Sequence, residues 1–435
     1  MIWAIFWINV LTVVIAFKKR MILYGLLNAI FLFLVTGQAF QIESDLNTHR
    51  TVDYLLNFIS DLGFNLGLRY VLGISIVSFL LALISTGLRG FKLPELQYSF
   101  SPSRRFYLGL FLFLSMLSLV LIFVVVGLNE FLHSSRPGFQ SGSTIFLVLL
   151  FLGVVPLLLK ILLRGKIATG DLACCLVTFG VTAFFSRTDL ILYLITILLG
   201  VYYARGWSNA PFTPLLIAGF LLFGVAVASI IVVIGALHDA QNVVQGSLGD
   251  LVGYIFEHPE KSVLSLEYNY RVGIEGMSGI AGLFSQYLSR PDSVHHDYGL
   301  SWVIQGTVQW LPGFLKTYAN SLTDWSTSLV WYPYSIVATG AETFFMSFGW
   351  PAIILYPLAA YVLGWQLPLL ALQTRLSPVW GIVTLFLMAC TIFFVHGALA
   401  VWIGFSFSYS AIVIIFWPIF KRQLKPTRLG IEARD

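Results

Sequence analysis

Residues 106–128 read FYLGLFLFLSMLSLVLIFVVVGL, an uncharged run that Arg104 and Arg105 precede and Glu130 follows. A helix needs roughly 20 apolar residues to cross the hydrocarbon core of a bilayer, so this run is long enough for one crossing. Similar runs recur along the chain, which is 58% hydrophobic and only 10% charged. Ordinary soluble domains carry about 25% charged residues. The sequence therefore predicts an all-α polytopic integral membrane protein.

The apolar runs predict about 11 transmembrane helices within a single membrane domain, residues 1–435. The predicted spans are residues 2–17, 21–40, 70–88, 106–128, 142–163, 169–185, 189–204, 212–236, 342–364, 376–397 and 401–420. A large extracytoplasmic loop, residues 237–341, separates the eighth span from the ninth. Helical periodicity in 247–257 and 261–288 indicates that much of this loop is helical.

The distribution of basic residues predicts the orientation of the spans. No basic residue precedes the first run, whereas Lys18, Lys19 and Arg20 follow it directly. Because basic residues accumulate on the cytoplasmic side, the N-terminus is predicted outside, and an odd number of spans then leaves the C-terminus cytoplasmic. The first run is not predicted to be a cleaved signal peptide. The net charge of +5 follows from this topology and does not indicate nucleic-acid binding.

The predicted spans contain few charges, which argues against an ion-coupled transporter. Ionisable residues at mid-bilayer are costly and mark ion or proton pathways, but Lys160, Asp171 and Glu342 all lie near span ends. The sequence also shows no pair of broken helices in corresponding halves and no internal repeat, which are typical of secondary transporters.

Arginines on the predicted outer face run against the positive-inside bias and are candidate ligand-binding residues. Arg187 lies in Ser186-Arg187-Thr188-Asp189, a short link between two spans. Its planar guanidinium matches phosphate oxygens in two-point geometry, so we expect it to bind a lipid-linked pyrophosphate. The alternatives are a pair with Asp189 or contact with a lipid headgroup.

Arg271 lies in the large loop between Glu267 and Glu275, each four residues away. On a helix both carboxylates could pair with it as ordinary surface ion pairs. The functional alternative is that they orient Arg271 toward a phosphate group. The sequence leaves these two interpretations open.

Arg290 and His295 lie at a predicted turn that Pro291 and Asp292 mark. A histidine near neutral pH can accept a proton from an attacking hydroxyl, so His295 is the first candidate for a general base, with His296 as a rival. The alternative is a surface loop histidine without a catalytic role.

Aromatic residues are dense in the second half of the same loop, as at Trp302 and Trp310. Trp and Tyr concentrate where a protein meets lipid headgroups, so one interpretation is an interfacial belt. The other is that Tyr270, Trp302 and Trp310 stack on sugars.

Other site classes lack the residues that they need. There is no glycine-rich phosphate loop, no Gly-x-Ser-x-Gly and no cysteine or histidine cluster with zinc spacing. Glu43 and Asp45 are the pair of acidic residues on the predicted outer side that would suit a divalent metal. We expect neither a metal nor another cofactor.

Three segments of the chain resemble a known family. Phe185-Ser186-Arg187-Thr188-Asp189 is similar to a short link that carries an arginine, and the large loop contains Arg271 and His295, each followed by a glycine after ten intervening residues. Thr339–Trp350, TGAETFFMSFGW, is similar to a Glu, aromatic, Phe-Gly-Trp signature, in which Gly349 would let neighbouring helices approach closely. The chain resembles the Wzy-type polymerases of O-antigen and exopolysaccharide repeat units.

The resemblance implies an inverting, metal-free glycosyltransferase at the outer leaflet of a bacterial cytoplasmic (inner) membrane. The substrate would be an undecaprenyl-pyrophosphate-linked oligosaccharide, with Arg187, Arg271 and Arg290 at its pyrophosphate. The general base would be His295, with Glu342, Asp292 and His296 as rivals. The partners would be membrane lipids and a copolymerase that regulates chain length. The alternatives are an O-antigen ligase, a flippase or transporter for lipid-linked sugars, and a structural component of a synthesis complex.

Overall fold

The computed structural model describes residues 1–48, 59–86, 98–122, 143–204, 253–254, 256–258, 276–289, 339–364, 366, 370, 377–396 and 399–426. This part of the chain is mostly helical, as the sequence predicts. The predicted eighth span and most of the large loop lie outside the described residues.

The elements follow one another along the chain as helices with two short strands. In chain order they are α1 (Ile2–Lys18), α2 (Ile22–Phe31), a π-helical segment (Leu32–Thr36), α3 (Gly37–Thr48), α4 (Asp61–Ile84), β1 (Tyr98–Phe100), α5 (Arg104–Val120), α6 (Ser143–Leu150), a 3-10 turn (Phe151–Gly153), α7 (Val155–Leu162), α8 (Thr169–Phe185), α9 (Arg187–Ala204), α10 (Met277–Ser289), α11 (Gly340–Phe348), α12 (Ala352–Leu363), α13 (Pro378–Cys390), α14 (Phe393–His396), α15 (Leu399–Lys421) and β2 (Leu424–Pro426).

Three helical stretches among the described residues are long and apolar enough to cross a membrane: Ile22–Ser44, Asp61–Ile84 and Trp402–Lys421. Shorter apolar helices accompany them, and many of their large apolar side chains are exposed, such as Leu176 and Ile415. An exposed apolar face on a long helix suits a lipid surround. The predicted membrane character is therefore supported by the fold.

The chain packs as two compact units that alternate along the sequence. Unit 1 comprises Met1–Gly90, Arg271–Leu369 and Cys390–Phe407, and unit 2 comprises Phe91–Tyr270, Leu370–Ala389 and Ser408–Asp435. The sequence analysis treats the chain as one membrane domain and does not distinguish these units.

Unit 1 is built around α4, against which α1, α10 and α12 pack. Hydrogen bonds connect its helices: Asn9 Nδ2 donates to Ser75 Oγ at 3.0 Å, and Tyr24 OH donates to the Ser78 carbonyl at 2.8 Å. At one end of α4, Lys19 Nζ donates to the carbonyls of Ala82, Leu83 and Ser85. The lysine thus satisfies carbonyls that a helix end leaves without partners.

Unit 2 contains α5 to α9 and α13, with part of α15. Thr178 Oγ1 donates to the Leu150 carbonyl at 2.9 Å, where α6 gives way to the 3-10 turn. β1 and β2 pair antiparallel, with Ser99 opposite Lys425. The sequence analysis predicts no strand, because segments of three residues carry too little periodicity to be recognised.

Three predicted spans are interrupted, although the sequence analysis predicts each as one helix. The fifth breaks between α6 and α7, where Pro156 occupies the first turn of α7. The ninth breaks at Gly349, with φ 64° and ψ −143°, followed by Pro351. The tenth breaks between α13 and α14. Proline and glycine explain the first two breaks. The sequence analysis did not predict these interruptions.

Candidate functional site

The structure describes only part of the predicted site. Glu342 is described in full, and the backbone of Arg187 is described as the first residue of α9, without its side chain. The other predicted site residues lie outside the described residues, and their roles stay predictions: Tyr270, Arg271, Arg290, His295, Trp302 and Trp310.

A single residue, Ser186, links α8 to α9, and Arg187 is the first residue of α9. α8 ends at Phe185, Ser186 has an extended backbone with φ −153° and ψ 103°, and α9 begins at Arg187. Ser186 N–H donates to the Thr182 carbonyl at 2.7 Å, and Ser186 Oγ accepts from Asp189 N–H at 3.2 Å. Ser186 therefore ends one helix and caps the start of the next.

Asp189 lies in the first turn of α9, two residues after Arg187, and is only 5% exposed. Its carboxylate accepts a hydrogen bond from Tyr409 OH of α15. The Tyr409 hydroxyl is 3.1 Å from the Tyr193 hydroxyl, and Tyr193 OH donates to the Leu147 carbonyl at 3.0 Å. One hydrogen bond thus joins the first turn of α9 to α15, and a second joins Tyr193 of the same helix to α6, with the two hydroxyls in contact.

Aromatic rings pack against Tyr193 and Tyr409. The Phe386 ring stacks on Tyr409 with centroids 4.2 Å apart and an interplanar angle of 26°. Phe151 contacts Tyr193 and Tyr409, each at 5.3 Å. Both tyrosines are fully buried, so neither hydroxyl can exchange its partner for bulk water, and the loss of a partner there is costly.

Glu342 lies in the first turn of α11 and caps that helix. Thr339 N–H donates to Glu342 Oε2 at 2.5 Å, and Thr339 Oγ1 accepts from Glu342 N–H at 3.2 Å. This reciprocal pair is a capping box. Glu342 is 6% exposed, so the geometry gives it a structural role, and its role as a general base stays a prediction.

Close packing surrounds the Glu342 carboxylate. A Cβ on Gly279 of α10 would lie 2.4 Å from Glu342 Oε1, and a Cβ on Gly340 would overlap the Phe394 carbonyl. Tyr70 OH of α4 donates to the Ala341 carbonyl at 2.7 Å. The first turn of α11 is therefore held by three other helices of unit 1, and only glycine fits at two of the contacts.

The helix α10 comes from the predicted extracytoplasmic loop, and it is docked into unit 1. Gly63 and Gly67 of α4 allow the approach: a Cβ on Gly63 would lie 2.6 Å from the Ser285 backbone. Ser285 Oγ also accepts from Ser60 N–H at 3.0 Å, and Gln38 Oε1 accepts from Ser278 N–H at 3.3 Å. This part of the loop is thus a fixed element of the unit.

Phe284 of α10 belongs to a cluster of aromatic side chains that the sequence analysis does not identify. Phe284 and Phe345 have ring centroids 4.5 Å apart, and Tyr70 lies 5.4 Å from each of them. Trp350 lies 5.7 Å from Phe284 and is 41% exposed. The exposed Trp350 indole, packed on buried aromatic rings, is suited to contact with a sugar or a lipid headgroup.

Gly349, which precedes this tryptophan, has a role different from the expected close helix approach. Its φ of 64° lies in the left-handed region and ends α11, so a glycine is needed for its backbone conformation. A signal for this role was present in the sequence, since Gly349 and Pro351 flank Trp350 and such residues end helices.

The described residues contain no group of three His, Cys, Asp or Glu side chains that could hold a metal ion. Glu43, one of the two acidic residues considered for a metal, lies in α3 and is exposed.

The sequence analysis considered Asp189 only as a partner of Arg187 and missed its contact with Tyr409. The two residues are 220 positions apart, and no local pattern connects them. The proximity of Tyr193 to Asp189 could have been predicted, because Tyr193 follows Asp189 by four residues and such positions share one face of a helix.

The chain matches no protein-family model, no curated protein and no solved structure.

Proposed function

We propose that the protein is a membrane glycosyltransferase that polymerises undecaprenyl-pyrophosphate-linked oligosaccharide repeat units into O-antigen or exopolysaccharide. The reaction takes place at the outer leaflet of the bacterial cytoplasmic membrane. The acceptor hydroxyl of one repeat unit attacks the anomeric carbon of the growing chain. The bond to the lipid pyrophosphate breaks with inversion, and His295 takes the proton of the hydroxyl.

The observation that carries the proposal is the docking of α10 against α3, α4 and α11. Arg290 follows Ser289, the last residue of α10, directly in sequence. A lipid-linked substrate must be bound where its headgroup meets the protein, and a loop element fixed to apolar helices supplies residues at that level. This supports a substrate site between the loop and the membrane.

The contacts between described helices support the predicted alternation of the spans across the membrane. Within each unit, the contacts join segments that the topology assigns to the same side. Pairs assigned to the outer side are Gln38 with Ser278, Ser60 with Ser285, and Tyr70 with Ala341; pairs assigned to the cytoplasmic side are Lys19 with Ser85, Tyr107 with Asp171, and β1 with β2.

The roles in the proposed reaction follow from charge. Arg187, Arg271 and Arg290 stabilise the negative charge that develops on the departing pyrophosphate, which lowers the barrier. An arginine keeps its charge at any physiological pH and matches phosphate in two-point geometry. Tyr270, Trp302 and Trp310 contact the sugars, and a copolymerase that regulates chain length is the proposed partner.

The test is the pattern of surface polysaccharide on a gel after deletion of the gene and complementation with variants. We expect deletion to remove the long-chain ladder and leave single repeat units on the lipid core. Arg187→Ala and Arg271→Ala should each fail to restore the ladder, whereas Arg187→Lys should restore it partly, since lysine keeps the charge without the fork. Arg104→Ala is the matched control, because Arg104 also begins a helix but lies on the predicted cytoplasmic side.

The outcomes separate the proposals at matched protein levels in the membrane. An intact ladder with both arginine variants contradicts pyrophosphate binding by these residues. Polymer that accumulates on its lipid carrier without transfer to the core indicates an O-antigen ligase, which shares the donor but uses another acceptor. An unchanged pattern after deletion excludes both enzymes.

A carrier for lipid-linked sugars is the second candidate, and the interrupted spans favour it. The fifth, ninth and tenth predicted spans are broken, and transporters use broken helices to line substrate sites near the bilayer midplane. Movement of a fluorescent lipid-linked sugar across proteoliposomes that contain the purified protein would support this function. Polymerisation by the purified protein without such movement would exclude it.

A further inference from the structure

We propose that Asp189, Tyr409 and Tyr193 form a hydroxyl clamp that fixes the first turn of α9, and that Tyr409 is a positioning residue for Arg187. The inference rests on the proposed function, because the purpose assigned to the clamp is the placement of the pyrophosphate-binding arginine. Tyr409 acts through Asp189 and does not itself contact the substrate.

Asp189 does not cap its own helix and can bond to another one. A carboxylate in the third position of a helix commonly bonds back to the N–H of the capping residue. Here the capping residue is Ser186, and its N–H already donates to the Thr182 carbonyl at the end of α8. The Asp189 carboxylate therefore bonds to Tyr409 instead.

Packing and hydrogen bonds fix Tyr409, the partner of Asp189, and its neighbour Tyr193. Tyr409 is stacked on Phe386, and its hydroxyl contacts the hydroxyl of Tyr193. Tyr193 is on the same helix as Asp189, four residues later, so the two side chains share a face. Its hydroxyl bonds to the Leu147 carbonyl, which gives α9 a second attachment one turn further along.

The clamp reaches Arg187 through the backbone of the first turn of α9. Residues two positions apart lie about 200° apart around a helix axis, so position 187 lies on the other side of the turn that Asp189 ties to the protein interior. Ser186 is the single residue between α8 and α9. The backbone at position 187 is therefore determined by Ser186 before it and by Asp189 after it.

The rate at which a cysteine at position 187 is chemically labelled reports the placement of that position independently of catalysis. Cys174, Cys175 and Cys390 are buried, so Arg187→Cys in detergent-solubilised protein provides a thiol whose labelling by a charged maleimide can be followed. Adding Tyr409→Phe should raise the labelling rate at position 187 about threefold, because local opening of the turn becomes more frequent. Leu62→Cys is the matched control, since Leu62 is 66% exposed in the first turn of α4.

Variants at Asp189 distinguish positioning from a general loss of structure. Asp189→Asn keeps an acceptor for Tyr409 and should keep the original labelling rate, whereas Asp189→Ala should raise it as Tyr409→Phe does. Tyr24→Phe removes another buried tyrosine hydroxyl, which donates to the Ser78 carbonyl in unit 1, and should leave labelling at position 187 unchanged. An equal rise with Tyr24→Phe overturns the proposal.

A transfer assay with lipid-linked repeat units in membrane vesicles, on chains that keep Arg187, supplies the functional readout. For Tyr409→Phe we expect kcat/KM to fall about tenfold, since a misplaced binding group stabilises the transition state less. Unchanged labelling and unchanged kcat/KM overturn the clamp and leave the proposed function standing. Changed labelling in a protein that catalyses no transfer supports the clamp as a structural device and overturns both its purpose and the proposed function. If Tyr409→Phe fails to fold, Tyr193→Phe is read by the same criteria.

Discussion

Three buried carboxylates among the described residues occupy the third position of a helix, and they are used differently. Glu342 of α11 bonds back to the N–H of its own capping residue, Thr339. Asp171 of α8 does the same with Ala168, at 2.7 Å, and its other oxygen accepts from Tyr107 OH. Asp189 of α9 makes no such bond and contacts Tyr409.

The difference comes from what precedes each helix, because Asp171 proves that an aspartate is long enough to cap. Ala168 follows a turn after α7, so its N–H is available to Asp171. Ser186 directly follows α8, and the last turn of that helix takes its N–H. A link of one residue thus frees a carboxylate for a distant partner. The number of residues between two helices therefore determines whether a carboxylate at the third position caps its own helix or bonds to another one.

The most severe test of this comparison is to lengthen the link. Inserting two glycines between Phe185 and Ser186 should free the Ser186 N–H, let Asp189 fold back into a cap and release Tyr409. We expect kcat/KM for transfer of lipid-linked repeat units to fall about 100-fold, because displacement of a binding group by about 1 Å can cost that much.

The control is the same insertion between Lys166 and Ile167, which are exposed in the turn between α7 and α8. It should change kcat/KM less than about twofold, since exposed turns tolerate added length. Equal effects of the two insertions would show that the one-residue link has no special role.

Removal of the Asp171 carboxylate, which both caps α8 and accepts a hydrogen bond from Tyr107 OH, should have the next largest effect. Asp171→Ala removes the cap of α8 and leaves Tyr107 OH without its acceptor, so we expect the free energy of unfolding to fall by about 2 kcal/mol. Tyr107→Phe removes only one of the two bonds and should cost about half as much. Thermal unfolding in detergent measures both variants. A larger loss for Tyr107→Phe than for Asp171→Ala would contradict this division.

A comparison of Glu342→Gln with Glu342→Ala tests the carboxylate that only caps. Glutamine also completes a capping box, so Glu342→Gln should leave stability and transfer unchanged. Glu342→Ala should lower the free energy of unfolding by about 1 kcal/mol, which is the usual cost of losing a cap. Loss of transfer in a stable Glu342→Gln variant would instead support the predicted general base.

Sequence reasoning located helices better than it located their partners. It placed the sixth span at residues 169–185, where α8 begins and ends, because charge bounds a long apolar run there. It did not predict the contact between Asp189 and Tyr409, because packing between distant segments determines that contact. In unit 1, α4 begins at Asp61 rather than at residue 70, since polar outer turns continue a helix beyond the apolar run that periodicity detects.

The smallest expected effect concerns α8, the helix that supplies the acceptor for Ser186 N–H. A Cβ added at Gly180 would meet no other heavy atom within 4 Å, so Gly180→Ala should add helix propensity without new contacts. We expect the free energy of unfolding to rise by about 0.5 kcal/mol. The labelling rate of Arg187→Cys should stay unchanged, because the Thr182 carbonyl keeps its position. A stabilised α8 with altered labelling at position 187 would mean that the flexibility of the preceding helix, and not the length of the link, controls the turn.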